Sequence, residues 1–513
     1  MKSIVDEQVV YVAEQHSIDS ILKTVAKGLV VDHNGTQTIS ESYFDTFEWS
    51  LFAADCILKQ CDGSIHLLNK KQDQTITSKT GAERNFFWWE LDDSSLKEAL
   101  KPLTDIRALT EVIQVHTTRK HIDLLNKDRK TVVRLHIDYS IAKGNEKEKE
   151  LLPLFRVRQI RGYEKVFKNL IARLAKLEMQ QLENEHSYLQ HTLTTIGRQV
   201  FDYTSKFEID LADNVTVRKS VSDICRFLVR AMDKNFAGVI EDIDSEFLHD
   251  YRIAVRRTRS LIGQMKKLIP VEETQFFQNE LKWLGSITGP VRDLDVYLLK
   301  RQEYRSMLPK HLHQGLDNFF DDLAIERIKR LDDMRDGLTS ARYQQFMAAW
   351  IRFLDGKDGT TWQMGDEYCQ PHAVKLIRKR LTKILKDGGK IQSITPDAQL
   401  HRLRIQGKKL RYLLEFYRSF FMEKEVDFFL KQLKRVQNNL GDFNDISVQG
   451  EMLSGYLQNM SGRSKRSIYI AAAVGGLVTL LDNRHNRIRQ KFEGTFAEFS
   501  SEKNVTKFKG MLN

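Results

Sequence analysis

The chain contains only 7 prolines and 4 cysteines in 513 residues. Proline removes a backbone donor and breaks helix interiors, so its scarcity leaves room for long helices. Cys56, Cys61, Cys225 and Cys369 form no Cys-x-x-Cys pair and no metal spacing. That excludes a zinc module and fits buried free thiols in a reducing compartment. Long apolar runs are missing too. The longest, residues 468–481, has 14 residues, too short to span a bilayer, and reads as a buried helix. Gly475-Gly476 within it reads as close helix packing. The first residues lack the basic start and apolar stretch of a signal peptide. A cytoplasmic protein without membrane contact is expected. No Gly-x-x-x-x-Gly-Lys-Ser/Thr, His-Glu-x-x-His or Gly-x-Ser-x-Gly is present, which removes three common catalytic classes.

Basic charge is abundant. Formal net charge is +11, with 29% charged and 10% aromatic residues. The composition fits a folded chain of two or three domains and favours an anionic partner.

The basic residues are organised by a duplication. His249-Asp-Tyr-Arg252-Ile-Ala-Val-Arg256-Arg257-Thr-Arg259 returns as His401-Arg-Leu-Arg404-Ile-Gln-Gly-Lys408-Lys409-Leu-Arg411, 152 residues later. At the same offset Phe276, Phe277, Leu281, Lys282, Gly289, Asp293 and Val296 return as Phe428, Phe429, Leu433, Lys434, Gly441, Asp445 and Val448. Upstream, Arg226 and Lys234 return as Arg378 and Lys386.

A helix turns about 100° per residue, which places His249, Arg252, Arg256 and Arg259 within an arc of roughly 80°. Arg257 flanks this stripe. Tyr251, Ala254, Val255, Leu261 and Ile262 face the other way and can bury, as can Leu403, Leu413 and Leu414 in the second copy. The two stretches hold nine Arg or Lys and one acid, Asp250. A salt-bridged surface helix would interleave signs. The pattern therefore predicts two cationic faces for a polyanion. Arg226 and Arg378 could reach the same surface from the preceding helix. Asp293 and Asp445 are expected to buttress basic side chains.

Residues 1–175 read as an α+β domain with a mostly antiparallel sheet. Strands are expected at 7–13, 42–45, 56–60, 65–69, 86–91, 112–125, 131–139 and 154–160, and helices near 18–27 and 96–101. Turns are marked by Asp62-Gly63, Thr80-Gly81 and Asn126-Lys-Asp128. Residues 176–215 read as a helical connector. Residues 216–500 read as all-α, two packed four-helix bundles, with loops near 242–245, 270, 285–290, 356–365, 388–396 and 461–463.

The helical half resembles a CHAD domain. Such domains carry His-x-x-Arg-x-x-x-(Arg/Lys)-(Arg/Lys)-x-Arg in each of two repeats, and both copies are complete here. Gly289-Pro-Val-Arg292-Asp293-Leu-Asp295 and Leu440-Gly441-Asp-Phe-Asn444-Asp445 also fit. The resemblance covers about 280 residues. It implies two pseudo-symmetric four-helix bundles whose basic helices face a shared cavity, inorganic polyphosphate as the ligand, and association with polyphosphate granules. The residues it assigns to polyphosphate are His249, Arg252, Arg256, Arg257, Arg259, His401, Arg404, Lys408, Lys409 and Arg411, with Arg226 and Arg378 as outer candidates. No cofactor is implied.

The first half resembles a CYTH domain, the triphosphate tunnel fold, in Tyr43-Phe44-Asp45-Thr46 and Cys56-Ile-Leu-Lys59. That family's enzymes open on Glu-x-Glu-x-Lys and carry a late Glu-x-Glu. Here Glu7-Gln-Val9-Val-Tyr11 keeps one acid. Phe155-Arg156-Val-Arg158-Gln-Ile-Arg161 puts arginines where acids are expected. Metal-assisted phosphoryl hydrolysis needs clustered carboxylates, so a degenerate domain without catalysis or metal is expected. A second acidic cluster from Glu83, Glu90 and Glu111 stays open. His116, Arg119, Lys120, Arg134 and His136 add basic groups.

Three functions compete: polyphosphate binding, a metal-dependent triphosphatase in the first half, and nucleic-acid binding. The stripes lack the interleaved aromatics that stack bases, which weighs against the last. An acidic protein partner is a fourth possibility.

Overall fold

The computed structural model describes residues 8–13, 17–69, 74–78, 84–144, 147–177, 179–357, 359–362, 364–392, 394–460, 462 and 464–512. Glu7, the Thr80-Gly81 turn, Glu83, Ser461 and Arg463 lie outside the described residues. The chain divides into two compact units, one ending at Thr204 and one starting at Ser205.

The first unit runs β1 (Gln8–Val12), α1 (Ile18–Val25), β2 (Val30–Asp45), α2 (Ser50–Ala53), β3 (Cys56–Cys61), β4 (Ser64–Asn69), β5 (Gln74–Ser78), β6 (Asn85–Phe86), α3 (Ser94–Thr104), β7 (Leu109–Leu125), β8 (Thr131–Lys143), β9 (Glu148–Glu150), β10 (Leu154–Gln159), α4 (Glu164–Ala175), β11 (Gln180–Leu182) and α5 (Glu185–Thr195). The strands form one antiparallel sheet ordered β11-β1-β10-β8-β7-β2-β3-β4-β5, with β6 on β7 and β9 on β8. Successive strand residues point to opposite faces. Tyr11 and Phe155 accordingly pack with α1 and α4 in one core, while Val12 and Leu154 pack with α5 in another.

Three expectations change here. Strand β2 starts at Val30 rather than 42, because residues 30–38 are exposed on both faces and show no apolar alternation. Their pairing with β7 sets them as a strand. The span 86–91 is mostly a 3₁₀ turn, Trp88–Glu90. Residues 176–204 belong to the first unit. Helix α5 buries Tyr188, Leu189 and Leu193 against the sheet instead of bridging.

The second unit contains α6 (Val217–Glu241), α7 (Ser245–Gln264), α8 (Val271–Leu299), α9 (Arg301–Met307), α10 (His313–Thr339), α11 (Ala341–Asp355), α12 (Cys369–Gly388), α13 (Asp397–Phe416), α14 (Glu423–Asn459), α15 (Lys465–Phe499) and α16 (Glu502–Met511). The duplication sets the helix boundaries. Val217 and Cys369, Ser245 and Asp397, Val271 and Glu423, and His313 and Lys465 all open helices, and each pair is 152 residues apart. Helices α6, α7, α8 and α10 pack in sequence, as do α12, α13, α14 and α15.

The loop expected at 285–290 is not there. Helix α8 runs through it with Pro290 inside. Burial of Leu281, Leu284, Thr288 and Val291 outweighs the one hydrogen bond that Pro290 removes. Of the Gly475-Gly476 pair, Gly476 packs, since a Cβ there would meet Leu308 at 3.4 Å and Leu312 at 3.6 Å, whereas Gly475 has nothing within 4 Å. The tightest approach is at Gly315, where a Cβ would sit 2.0 Å from the Tyr469 carbonyl oxygen.

Candidate functional site

Helix α7 starts where Asp244 caps it. The carboxylate accepts from the backbone N–H of Glu246 at 2.8 Å and of Phe247 at 3.2 Å. The apolar face then buries Phe247, Tyr251, Ala254, Val255, Leu261 and Ile262. Helix α13 buries Leu400, Leu403, Leu410, Leu413 and Leu414. These faces leave Arg252, Arg256 and Arg259, and Arg404 and Lys408, on the other side.

The two helices meet. Arg257 Nη2 donates to Glu415 Oε2 at 2.8 Å, and Gln264 Nε2 donates to the Lys409 carbonyl at 3.3 Å. Glu415 Oε1 accepts from Arg411 Nε at 2.6 Å. One buried carboxylate thus joins an arginine from each repeat, its single negative charge shared between two guanidinium groups. The Arg257 guanidinium also lies over the rings of Phe207 and Tyr412, at 5.2 and 5.8 Å.

The other cations are held differently. Arg252 Nη1 donates to Thr288 Oγ1 at 2.8 Å and to the Gly285 carbonyl at 3.2 Å, both neutral acceptors, with the Asp293 carboxylate near enough to act on its charge. Arg404 reaches Asp445 at 3.4 Å, while its Nε is buried without a partner. Arg256 and Lys408 make no hydrogen bond or ion pair among the described residues. His401 Nδ1 donates to Asn444 Oδ1 at 2.6 Å, which leaves Nε2 at the ring's other edge.

The electrostatics record the crowding. Burial, then Arg404 and Arg256, pushes the Lys408 ammonium down to about 8. Burial and Arg256 push Arg252 down to about 10. Burial lowers Arg404 against the pull of Asp445, and Arg256 lowers it further. Arg256 therefore acts on cations of both repeats. Burial holds the Asp293 carboxyl above its ordinary range despite Arg252 and Arg292.

Arg226 and Arg378 go elsewhere. Arg226 Nη2 donates to Asp355 at 2.6 Å and to the Leu354 carbonyl at 3.0 Å. Arg378 Nη2 donates to the Leu512 carbonyl at 2.6 Å. Sequence reading missed Thr288, Arg380, Lys266 and Glu415. Glu415 had no signal in the repeat comparison, because its counterpart is Gly263.

In the first unit the basic residues are tied to acids and rings. Asp138 accepts from Arg119 Nε and Nη2 at 2.7 and 2.9 Å and from Arg156 Nε at 2.5 Å. His136 packs edge-on to His121, and burial with Arg119 pushes it down to about 4. Lys120 lies over Tyr139, Arg134 reaches Asp123 at 3.4 Å, and His116 meets Ser40. Lys59 bridges Glu41 at 2.8 Å and Glu185 at 2.6 Å. Among the described residues no three His, Cys, Asp or Glu side chains converge as a metal site. Arg156, on a strand paired on both sides, is thus held by Asp138.

Residues 223–454 match the family model for the CHAD domain. The second unit carries a CHAD domain. Two uncharacterized proteins of Mycobacterium tuberculosis strains are 24% identical to the chain over 215 residues, 40% of this chain. The aligned part spans 39% of the length of these curated relatives. The crystal structure of the CHAD domain from the plant Ricinus communis is similar at 23% identity and a TM-score of 0.48, over 57% of this chain and 95% of that one. PptA from Streptomyces chartreusis is similar at 13% identity and a TM-score of 0.43, over 55% and 99%. No helix among the described residues is long and apolar enough to cross a membrane.

Proposed function

We propose that the CHAD unit binds inorganic polyphosphate along the basic stripes of α7 and α13. The observation that carries this is the group Arg252, Arg256, Arg404 and Lys408, four cations drawn from both repeats with two acids near them, Asp445 in a loose pair with Arg404 and Asp293 near Arg252. Like charges gathered at partial burial cost free energy in the unliganded protein. A chain with about one charge per phosphate relieves that cost, and forked guanidinium contacts fit its oxygens. The unpartnered Arg404 Nε is a donor ready for such an oxygen. His401 donates from Nε2 only when protonated, since Nδ1 is committed to Asn444. Location on polyphosphate granules follows from this binding.

We read the sheet unit as a CYTH-like domain without catalysis. The pairing of Arg119 and Arg156 with Asp138 supports that reading. The full chain should release no phosphate from tripolyphosphate with Mg²⁺ or Mn²⁺.

The test is binding of long-chain polyphosphate across a salt series. The comparison protein carries Arg252→Ala, Arg256→Ala, Arg404→Ala and Lys408→Ala. Tight binding with a steep salt dependence that the variant flattens supports the proposal. Binding indifferent to these residues overturns it. Displacement of polyphosphate by DNA at equal phosphate concentration would favour a nucleic-acid partner instead.

A further inference from the structure

The two repeats are alike in their basic stripes but opposite in what surrounds them. Lys409 in the second repeat lies near Arg259, Lys266 and Arg380, all of which repel it. The geometry is fixed by two contacts. Gln264 donates to the Lys409 carbonyl, which holds the end of α7 against α13. Arg380 on α12 donates to Gln406, three residues before Lys409 on the same helix face. No acid pairs with Arg259, Lys266, Arg380 or Lys409 among the described residues.

Moving each residue by the repeat offset, Lys409 and Arg380 back and Arg259 and Lys266 forward, gives the related group: Arg257, Leu228, Arg411 and Arg418. Here every cation has an acidic partner. Glu415 takes Arg257 and Arg411, and Arg418 pairs with Glu423 at 3.1 Å and Asp427 at 2.9 Å. The segment from Phe207 to Asp210, with Glu208 and Asp210, lines the same recess. The repeat counterparts of Glu415, Glu423 and Asp427 are Gly263, Val271 and Gln275. These three acids have no acidic counterpart in the first repeat.

We infer that a polyphosphate chain leaves the central site in one direction, over an extension subsite formed by Arg259, Lys266, Arg380 and Lys409. The inference rests on the polyphosphate reading above. The opposite side, lined by Glu415, Glu423 and Glu208, repels a phosphate chain. A ligand too short to leave the centre does not feel the subsite. A long chain gains its contacts and the counterion release that goes with them.

The experiment measures binding of tripolyphosphate and long-chain polyphosphate to the full chain. Lys266→Gln with Arg380→Gln should weaken the long chain about tenfold and flatten its logarithmic salt slope by about 1.4, at about 0.7 per lost contact on a single strand. Tripolyphosphate should bind as before. Lys266 is exposed, so Lys266→Glu alone serves if the double variant folds poorly, with the same direction expected. Arg418→Gln, on the acid-lined side, should leave the long chain unaffected. Equal weakening of both ligands, no effect on the long chain, or an equal loss from Arg418→Gln each overturns the one-way path. A parallel Arg256→Ala, Lys408→Ala protein separates the two claims. If it keeps both ligands, the central reading itself has failed. If it loses both while the Lys266 variants bind normally, only the extension subsite has failed.

Discussion

Arg257 of the first repeat and Glu415 of the second are joined at 2.8 Å, with side chains only 12% and 13% exposed. This ion pair spans the duplication, and Glu415 has no counterpart in the other repeat. It ties α7 to α13, the two helices that carry the basic stripes.

Removing one partner of such a pair leaves the other buried and uncompensated. Glu415→Ala should therefore destabilise the second unit by about 3 kcal/mol. Urea unfolding of the full chain reads this as a lower midpoint. Arg257→Met combined with Glu415→Leu should cost much less, because no buried charge is then stranded. Equal losses from the single and double changes would remove Glu415 as the link.

Arg226 and Arg378 share the repeat spacing of the stripe residues but not their surroundings. Arg226 is spent on Asp355 and the end of α11, and Arg378 on the Leu512 carbonyl. Changing either to Ala should leave polyphosphate affinity within about twofold and the salt slope unchanged, since no phosphate contact is lost. A slope reduced by either change would place that arginine back in the site.

Much of this was legible in the chain. The offset of 152 residues carries the helix starts as well as the basic positions, because both copies bury the same apolar pattern. The apolar side of α7, from Tyr251 to Ile262, also follows from helical spacing. Other features were out of reach. Strand β2 before residue 38 has no buried side to betray it, and Pro290 reads as a break until its tertiary contacts are known. Asp445 was legible from its repeat position, and it does pair with Arg404. Glu415, which takes Arg257 and Arg411, was not, because its repeat counterpart is Gly263.

Asp138 offers a test within the sheet unit. It is almost fully buried, and Arg119 and Arg156 hold its carboxyl below the usual range against the opposing effect of burial. A depressed carboxylate stabilises the fold above its unfolded value of 3.8 and loses that contribution as pH falls through the folded value. Asp138→Asn should cost about 3 kcal/mol at neutral pH, because two arginines lose their counterion. The difference from the parent should shrink below pH 3.8. Acid unfolding curves of the two proteins check this, and a constant difference across that range would count against the arginine clamp.

Lys408 gives the proposed polyphosphate site a pH dependence of the opposite kind. Burial, Arg404 and Arg256 lower its ammonium to about 8, against 10.5 in the unfolded chain. Between these values the unfolded state holds more protons, so this group adds stability as pH rises from about 8 toward 10.5. Binding works the other way. A phosphate beside Lys408 favours the charged form and draws a proton onto it. Affinity should therefore fall as pH rises above about 8, with net proton uptake on binding near pH 8 to 9. Titration calorimetry in two buffers of different ionisation enthalpy measures that uptake directly. Lys408→Arg should bind without it, because a guanidinium stays charged throughout this range. Uptake that persists in Lys408→Arg would assign the proton to another group and leave Lys408 a permanent cation of the site.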